Sequence, residues 1–93
     1  LDFSRAAVVL ERRVRALSPH IGATCVIDGR QVTVWAARAR PQPAPPGLTV
    51  ADGRLVAGCG EGSLELVEVQ PAGRGRMDAA ALVRGWRGPL VLG

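Results

Sequence analysis

The 93-residue sequence contains no lysine and no tyrosine, and it has only one phenylalanine and two tryptophans. So few aromatic side chains argue against a protein that reads unstacked bases by stacking them on several rings. The two cysteines, Cys25 and Cys59, are too few for a disulfide framework. Neither has a second cysteine or a histidine at metal-ligand spacing, which argues against a zinc site. Because both lie in apolar runs, we expect small, buried, reduced thiols, and we predict no metal or cofactor site.

Groups for acid–base or nucleophilic chemistry are equally scarce. His20 is the only histidine. No serine, cysteine or carboxylate stands at a recognisable spacing from it, as a nucleophile and its base would require. We therefore predict no catalytic residue in this chain.

Long apolar runs are also missing. No stretch of about 18 apolar residues is present, so no transmembrane helix is predicted, and the first residues lack the layout of a signal peptide. We expect a cytoplasmic protein without a membrane partner. The sequence does not begin with methionine, so we expect a piece of a longer protein. Its length corresponds to one domain over residues 1–93.

All twelve basic residues are arginines, and the net charge is +4. A GC-rich genome produces arginine in excess of lysine without any selection for function, so the distribution is more informative than the count. Residues 29–49 contain three arginines and no acidic residue, and residues 71–93 contain four arginines and one aspartate. Residues 50–70 contain one arginine and four acidic residues. Segregated positive charge of this kind indicates a polyanionic partner.

The first 19 residues predict a helix. Asp2 or Ser4 is suited to cap its N-terminus, and Ser18-Pro19 ends it, because the residue before proline avoids helical angles. The arginines of its last turns are better explained as a solvated face beside the helix C-terminus than as a contact surface for a partner. The apolar positions recur at three- and four-residue steps and form one face: Ala6, Ala7, Leu10, Val14 and Leu17.

Residues 23–70 predict about five short strands. Two Asp-Gly pairs, at 28–29 and 52–53, mark hairpin turns, and residues 31–37 alternate between apolar and polar. A second helix is predicted over residues 77–87, with Asp78 as its cap and Gly88-Pro89 after its end. We therefore predict a mainly β fold, a small closed or partly open barrel with an N-terminal and a short C-terminal helix.

Three segments allow more than one interpretation. The proline-rich residues 40–47 match a basic PxxP ligand of SH3 domains, but a stiff connector across one barrel end is favoured. The glycines of residues 58–62 resemble a phosphate-binding loop, but no helix follows them, so a hairpin turn is favoured. The apolar phase shifts near Val67, which a bulge or burial on both faces would explain. Outside these three segments, Trp35 is interpreted as a large cap over a helix or barrel end rather than as a platform for base stacking.

In its order of motifs, the chain resembles the C-terminal domain of methionyl-tRNA formyltransferase. Each motif alone is weak, but the ordered set covers nearly the whole sequence. The matching pieces are residues 13–19 (RVRALSP), 22–23 (GA), 32–37 (VTVWAA), 46–47 (PG), 52–53 (DG), 58–66 (GCGEGSLEL), 69–73 (VQPAG) and 77–79 (MDA).

This resemblance implies a barrel similar to an oligonucleotide-binding fold and a non-catalytic domain that binds initiator methionyl-tRNA. In that family the catalytic residues and the donor, 10-formyltetrahydrofolate, belong to an N-terminal domain, which would be this chain's partner. The family carries basic residues after its Gln-Pro-x-Gly motif, which corresponds here to Arg74 and Arg76. We predict that the tRNA backbone is held by arginine–phosphate contacts. The predicted RNA contacts are, in order of preference, Arg74 and Arg76, then Arg38 and Arg40, and then Arg84 and Arg87.

A second function stays open. Related C-terminal domains belong to formyltransferases that act on nucleotide sugars or on folate-linked small molecules. In such an enzyme this domain would be an interdomain or subunit packing module that binds no RNA.

Overall fold

The computed structural model describes residues 1–92, which form two helices and six strands. No helix within these residues has the length and apolarity needed to cross a membrane. The helices are α1 (Ala7–Leu17) and α2 (Ala79–Gly85). The strands are β1 (Ala23–Ile27), β2 (Arg30–Arg40), β3 (Gly47–Ala51), β4 (Arg54–Gly58), β5 (Ser63–Pro71) and β6 (Met77–Asp78).

The strands form one antiparallel sheet in the order β1-β2-β5-β4-β3, and β6 pairs with β5. This confirms the mainly β prediction with its N-terminal and short C-terminal helices. The edge strands β1 and β3 do not pair with each other, so the barrel is open. At the end of β1, the backbone N–H of Asp28 donates to the carbonyl of Val91 at 2.7 Å, so the C-terminal segment lies beside β1 there.

Both predicted Asp-Gly turns are present. Asp28 and Asp52 have φ values of 51° and 53°, and Gly29 and Gly53 both have a φ of 74°. Positive φ at both central residues is the geometry that matches the twist of paired strands in a two-residue hairpin. The turns therefore set the registers of β1 with β2 and of β3 with β4.

The phase shift in β5 is explained by two opposed bulges between β2 and β5. Val34 pairs with Val69, and the ladder resumes as Ala36 with Glu68 and Ala37 with Leu66. Trp35 on β2 and Val67 on β5 are the two residues that the register leaves out. Each extra residue reverses the side-chain alternation of its strand, and a bulge of this kind bends and twists the strand locally.

One apolar core lies inside the bent sheet and is closed by both helices. On α1, the predicted face packs inward, with Leu10 and Val14 each 1% exposed. Leu82 of α2 enters the same core. The large apolar strand residues that are fully buried are Ile27, Val32, Val34, Leu55, Leu64, Leu66 and Val69.

Both helix starts differ from the prediction. α1 begins at Ala7 rather than near residue 1, and Asp2 and Ser4 hydrogen-bond to each other instead of capping it. The backbone N–H of Ala7 donates to the carbonyl of Glu61 at 2.9 Å, so a distant turn supplies an acceptor that the cap was expected to supply.

α2 is shorter than the predicted 77–87, because Met77 and Asp78 pair with β5 as strand β6. Asp78 occupies the N-cap position, but its side chain makes no capping hydrogen bond. Trp86 and Arg87 lie just beyond the end of the helix.

The glycine-rich residues 58–62 form the β4–β5 hairpin turn, as favoured over a phosphate-binding loop. Gly58 pairs with Ser63, and the N–H of Cys59 donates to the carbonyl of Gly62 at 3.2 Å. The N–H of Gly60 bonds to the carbonyls of Phe3 and Arg5, each at 3.0 Å. The turn therefore holds the N-terminal segment against the sheet, and its Cys59 and Gly60 amides are bonded within the protein.

The proline-rich residues 40–47 connect β2 to β3 across this same end of the sheet. The hydroxyl of Ser63 donates to the carbonyl of Gln42 at 2.7 Å, and a side chain at Gly58 would meet the backbone of Ala44 and Pro45. This packing supports the connector interpretation over the PxxP ligand.

We expect an alkaline loss of stability that originates in the thiols. Burial raises the pKa of the Cys25 thiol from 9.0 to about 11, and burial also raises that of Cys59. The folded state therefore holds the Cys25 proton after the unfolded chain has lost it, so stability falls as the pH rises from 9 through 11. For Cys25 alone, the free energy of unfolding should drop by about 1.4 kcal/mol between pH 8 and pH 10.

The measurement is urea unfolding at several pH values. No lysine or tyrosine is present to titrate in this window, and Cys25→Ala serves as the control. The alkaline loss should become smaller in this variant. An equal loss in wild type and Cys25→Ala would contradict the assignment.

Candidate nucleic-acid interface

The loop of residues 72–76 joins β5 to β6 and carries the two most favoured arginines. Two hydrogen bonds hold the backbone of this loop. The N–H of Arg74 donates to the carbonyl of Pro71 at 3.0 Å, and the Gln70 side-chain amide donates to the carbonyl of Arg74 at 2.7 Å. The Gln70 amide oxygen in turn accepts from the Trp35 indole N–H at 3.0 Å. The loop is therefore held in one geometry, while the side chain of Arg74 is exposed.

Arg76 is committed to contacts within the protein. Its guanidinium carbon lies 3.8 Å from the centroid of the Trp35 ring, and one of its nitrogens donates to the carbonyl of Pro19 at 3.1 Å. A second nitrogen lies 3.8 Å from the Glu68 carboxylate. Arg76 thus ties β2, β5 and the segment after α1 together. The Trp35 ring is thus covered by a cation of its own chain, and its role as a cap over a helix or barrel end stays a prediction.

Replacing Arg76 should therefore destabilise the fold. A partly exposed cation–π contact, a charge-assisted hydrogen bond and a surface ion pair together amount to about 1–2 kcal/mol. We expect Arg76→Ala to lower the free energy of unfolding by this amount, whereas Arg74→Ala should change it by less than about 0.5 kcal/mol. Urea denaturation of the two variants tests this. Equal stability of both variants would show that the contacts of Arg76 contribute nothing.

Arg74 and Arg30 line the same pocket, between the beginning of β2, the end of β5 and helix α2. Arg30 lies over the Trp86 ring at 4.7 Å from its centroid and donates to the carbonyl of Arg87 at 3.3 Å. Arg87 is exposed just beyond α2, and Arg84 is exposed in the last turn of that helix. We call Arg30, Arg74, Arg84 and Arg87 the α2-end arginine cluster.

Arg30 was not among the residues predicted from the sequence. It stands alone after the Asp28-Gly29 turn, and no local pattern relates it to residues 71–87. The pairing of β2 with β5 is what brings Arg30 close to Arg74. Next to this pairing, the N–H of Ala72 donates to the carbonyl of Gln31 at 3.0 Å. The only available signal was the membership of Arg30 in the net-positive residues 29–49.

Arg38 and Arg40 lie at the other end of β2 from this cluster. Ten residues of strand separate Arg40 from Arg30, which is roughly 30 Å along the chain. Arg38 pairs across the ladder with Glu65 and Arg40 with Ser63, and Arg40 is partly buried. The structure therefore does not bring these two arginines together with Arg74.

A further basic region lies along α1. Arg5, Arg12 and Arg13 line a groove of about 660 Å³ together with Asp2. Arg15 forms an ion pair with Glu11 at 3.0 Å. Acidic side chains in or next to this region offset part of its charge. Among residues 1–92, no acidic residue lines the pocket between Arg30 and Arg74, although the Asp28 carboxylate lies beside Gly88, the residue after Arg87.

Comparison with known proteins gives a consistent result. Residues 1–87 match the family model described as the formyl transferase C-terminal domain. The chain is 42% identical over 92 residues to the methionyl-tRNA formyltransferase of Gluconacetobacter diazotrophicus. This alignment covers 97% of the chain and 30% of the relative. It is 45% identical over 96 residues to the methionyl-tRNA formyltransferase of Leifsonia xyli, covering 99% of this chain and 31% of the relative.

A third relative is the methionyl-tRNA formyltransferase of Novosphingobium aromaticivorans, 45% identical over 85 residues, with 91% of this chain and 28% of the relative covered. The chain thus spans less than a third of the length of these curated relatives.

Proposed function

The chain is a member of the formyl transferase C-terminal domain family, and we propose that it is the tRNA-binding domain of a cytoplasmic methionyl-tRNA formyltransferase. The observation that carries this proposal is the α2-end arginine cluster. Arg30 of β2 and Arg74 of the β5–β6 loop line one pocket at this end of the sheet, and no acidic residue among residues 1–92 lines it. Arg84 and Arg87 are exposed at the end of α2 and just beyond it.

The cluster suits phosphate groups. A guanidinium group is planar, permanently charged and able to donate two parallel hydrogen bonds to phosphate oxygens. Arg74 is presented on a loop whose backbone is already hydrogen-bonded, so its binding to a phosphate costs side-chain entropy but little ordering of the loop. Phosphate contacts carry no sequence information, so this surface positions tRNA and leaves the choice of initiator tRNA to the rest of the enzyme.

We assign no catalytic role to this chain. His20 is exposed in the loop after α1 and does not line the pocket of the arginine cluster. The formyl donor, 10-formyltetrahydrofolate, and the catalytic residues belong in this proposal to an N-terminal domain. The domain described here would hold the tRNA body while that partner acts on the methionyl end.

Two measurements on the isolated chain test the proposal. In filter binding with bulk tRNA at low salt, the folded chain should bind initiator and elongator tRNAs to a similar extent. In a formylation assay with methionyl-tRNA and 10-formyltetrahydrofolate, it should give no turnover above the control without enzyme. Absence of tRNA binding by a folded chain would favour a packing module, and turnover would reveal a catalytic group in this domain.

A further inference from the structure

The pocket lined by Arg30 and Arg74 is larger and more apolar than a site that binds only phosphate requires. Its volume is about 330 Å³, within the range of small-molecule sites. Apolar side chains of β6 and α2 line it, including Met77 and the buried Leu82. Arg30 and Arg74 stand beside this apolar surface. A backbone phosphate would be held equally well by exposed arginines on a flat surface, so the apolar cavity calls for an apolar portion of the ligand.

Trp86 lines the pocket together with Arg30, whose guanidinium group lies over the Trp86 ring. Its indole N–H is already satisfied by the carbonyl of Pro89 at 3.2 Å, so the ring needs no polar partner from a ligand. Arg30 lies over this ring, and guanidinium planes, like aromatic rings, stack against nucleobases. A ligand that matches these features is a flat ring system carrying a negative charge near Arg74.

We infer that this pocket binds one unpaired nucleotide of RNA, with its base against the stacked Arg30–Trp86 pair and Met77 and its phosphate at Arg74. The inference rests on the proposed function and adds a second mode of contact to it. Bases within a duplex are stacked and paired, so only a nucleotide outside a helix can insert its base into a cavity. No acidic residue lines the pocket to oppose the phosphate.

The test separates base insertion from phosphate contact by filling the pocket without changing its charge. Ala81 lines the pocket and Ala80 does not, although both lie on α2. Stacking of one base contributes about 1–3 kcal/mol, and a loss in the middle of this range is about 30-fold in affinity. We expect Ala81→Phe to weaken tRNA binding by about 10- to 50-fold with an unchanged salt dependence, while Ala80→Phe has little effect.

A second measurement keeps the test decisive if Ala81→Phe does not fold. A short unpaired oligonucleotide should quench tryptophan fluorescence in wild type, and Trp86→Phe should abolish most of that quenching while Trp35 remains. Adenosine, 5′-AMP and inorganic phosphate serve as separate probes. Quenching by the oligonucleotide and weaker quenching by 5′-AMP support the inference, whereas quenching by 5′-AMP alone would mean a free nucleotide as the ligand and overturn it.

The outcomes also distinguish this inference from the proposed function. If a folded Ala81→Phe variant binds tRNA as wild type does, while loss of arginines weakens binding, the nucleotide pocket is refuted and the phosphate-binding surface stands. If wild type binds no tRNA, both are refuted.

Discussion

Replacing Gly62 by alanine should remove much of the stability of this fold. Gly62 has a φ of 72°, which costs an L-residue about 1–2 kcal/mol. A Cβ atom there would also meet the backbone carbonyl oxygen of Arg40, which is held in the β2–β5 ladder. Forcing a methyl group into a packed position costs about 1–3 kcal/mol more. We expect Gly62→Ala to lower the free energy of unfolding by about 2–5 kcal/mol.

Two other glycines separate the contributions of strain and crowding. Gly73 has a φ of 79° but open space around its Cβ position, so Gly73→Ala should cost only about 1 kcal/mol. At Gly75 the Cβ position is also open and φ lies outside the positive region, so Gly75→Ala should be neutral or stabilise by up to about 1 kcal/mol. Urea unfolding followed by circular dichroism measures all three. Equal losses for Gly62→Ala and Gly73→Ala would show that the contact with Arg40 does not matter.

The strands and their turns could be predicted because their signals are local. An Asp-Gly pair favours positive φ at adjacent positions, and the structure has that geometry at Asp28 and Asp52. The shift of apolar phase near Val67 likewise indicated either a bulge or burial on both faces, and the structure has a bulge there. These features depend on neighbouring residues within one short segment, which is where a sequence pattern is informative.

The helix starts could not be predicted, because tertiary contacts decided them. Ala7 receives its acceptor from Glu61, and Met77 joins a strand whose partner, Val69, is eight residues away. The interface shows the same limit. Sequence patterns pointed to Arg74 and Arg76 as equals, yet Arg76 is held by Trp35 and Glu68, while Arg74 shares a pocket with the unpredicted Arg30.

Loss of Arg74 and Arg87 should give the largest change in tRNA binding. Both side chains are exposed in the α2-end arginine cluster, and Arg76 is excluded from the test because its removal also affects stability. Each contact with a duplex phosphate contributes about 0.9 to the slope of log affinity against log salt. At about 0.1 M salt, two lost contacts correspond to a fall in affinity of roughly 60-fold. The double variant Arg74→Ala/Arg87→Ala should show this fall for initiator and elongator tRNAs alike.

The matched control removes the same charge from the opposite end of β2. Arg38→Ala/Arg40→Ala lowers the net charge by two, as the first double variant does, so a general loss of electrostatic attraction affects both equally. Both arginines were candidate contacts on sequence grounds, and they stand opposite Glu65 and Ser63 on the neighbouring strand. If tRNA binds specifically at the α2-end arginine cluster, the two double variants should differ in tRNA affinity.

The salt dependence of tRNA affinity for these three proteins tests the central claim most directly. Affinity would be measured from about 50 to 200 mM salt for wild type and both double variants, each shown to be folded. We predict that the slope flattens by about 1.5–2 in Arg74→Ala/Arg87→Ala and changes by less than about 0.5 in Arg38→Ala/Arg40→Ala. An unchanged slope in the first variant, or the same change in both, would contradict the assignment of the tRNA surface to the α2-end arginine cluster.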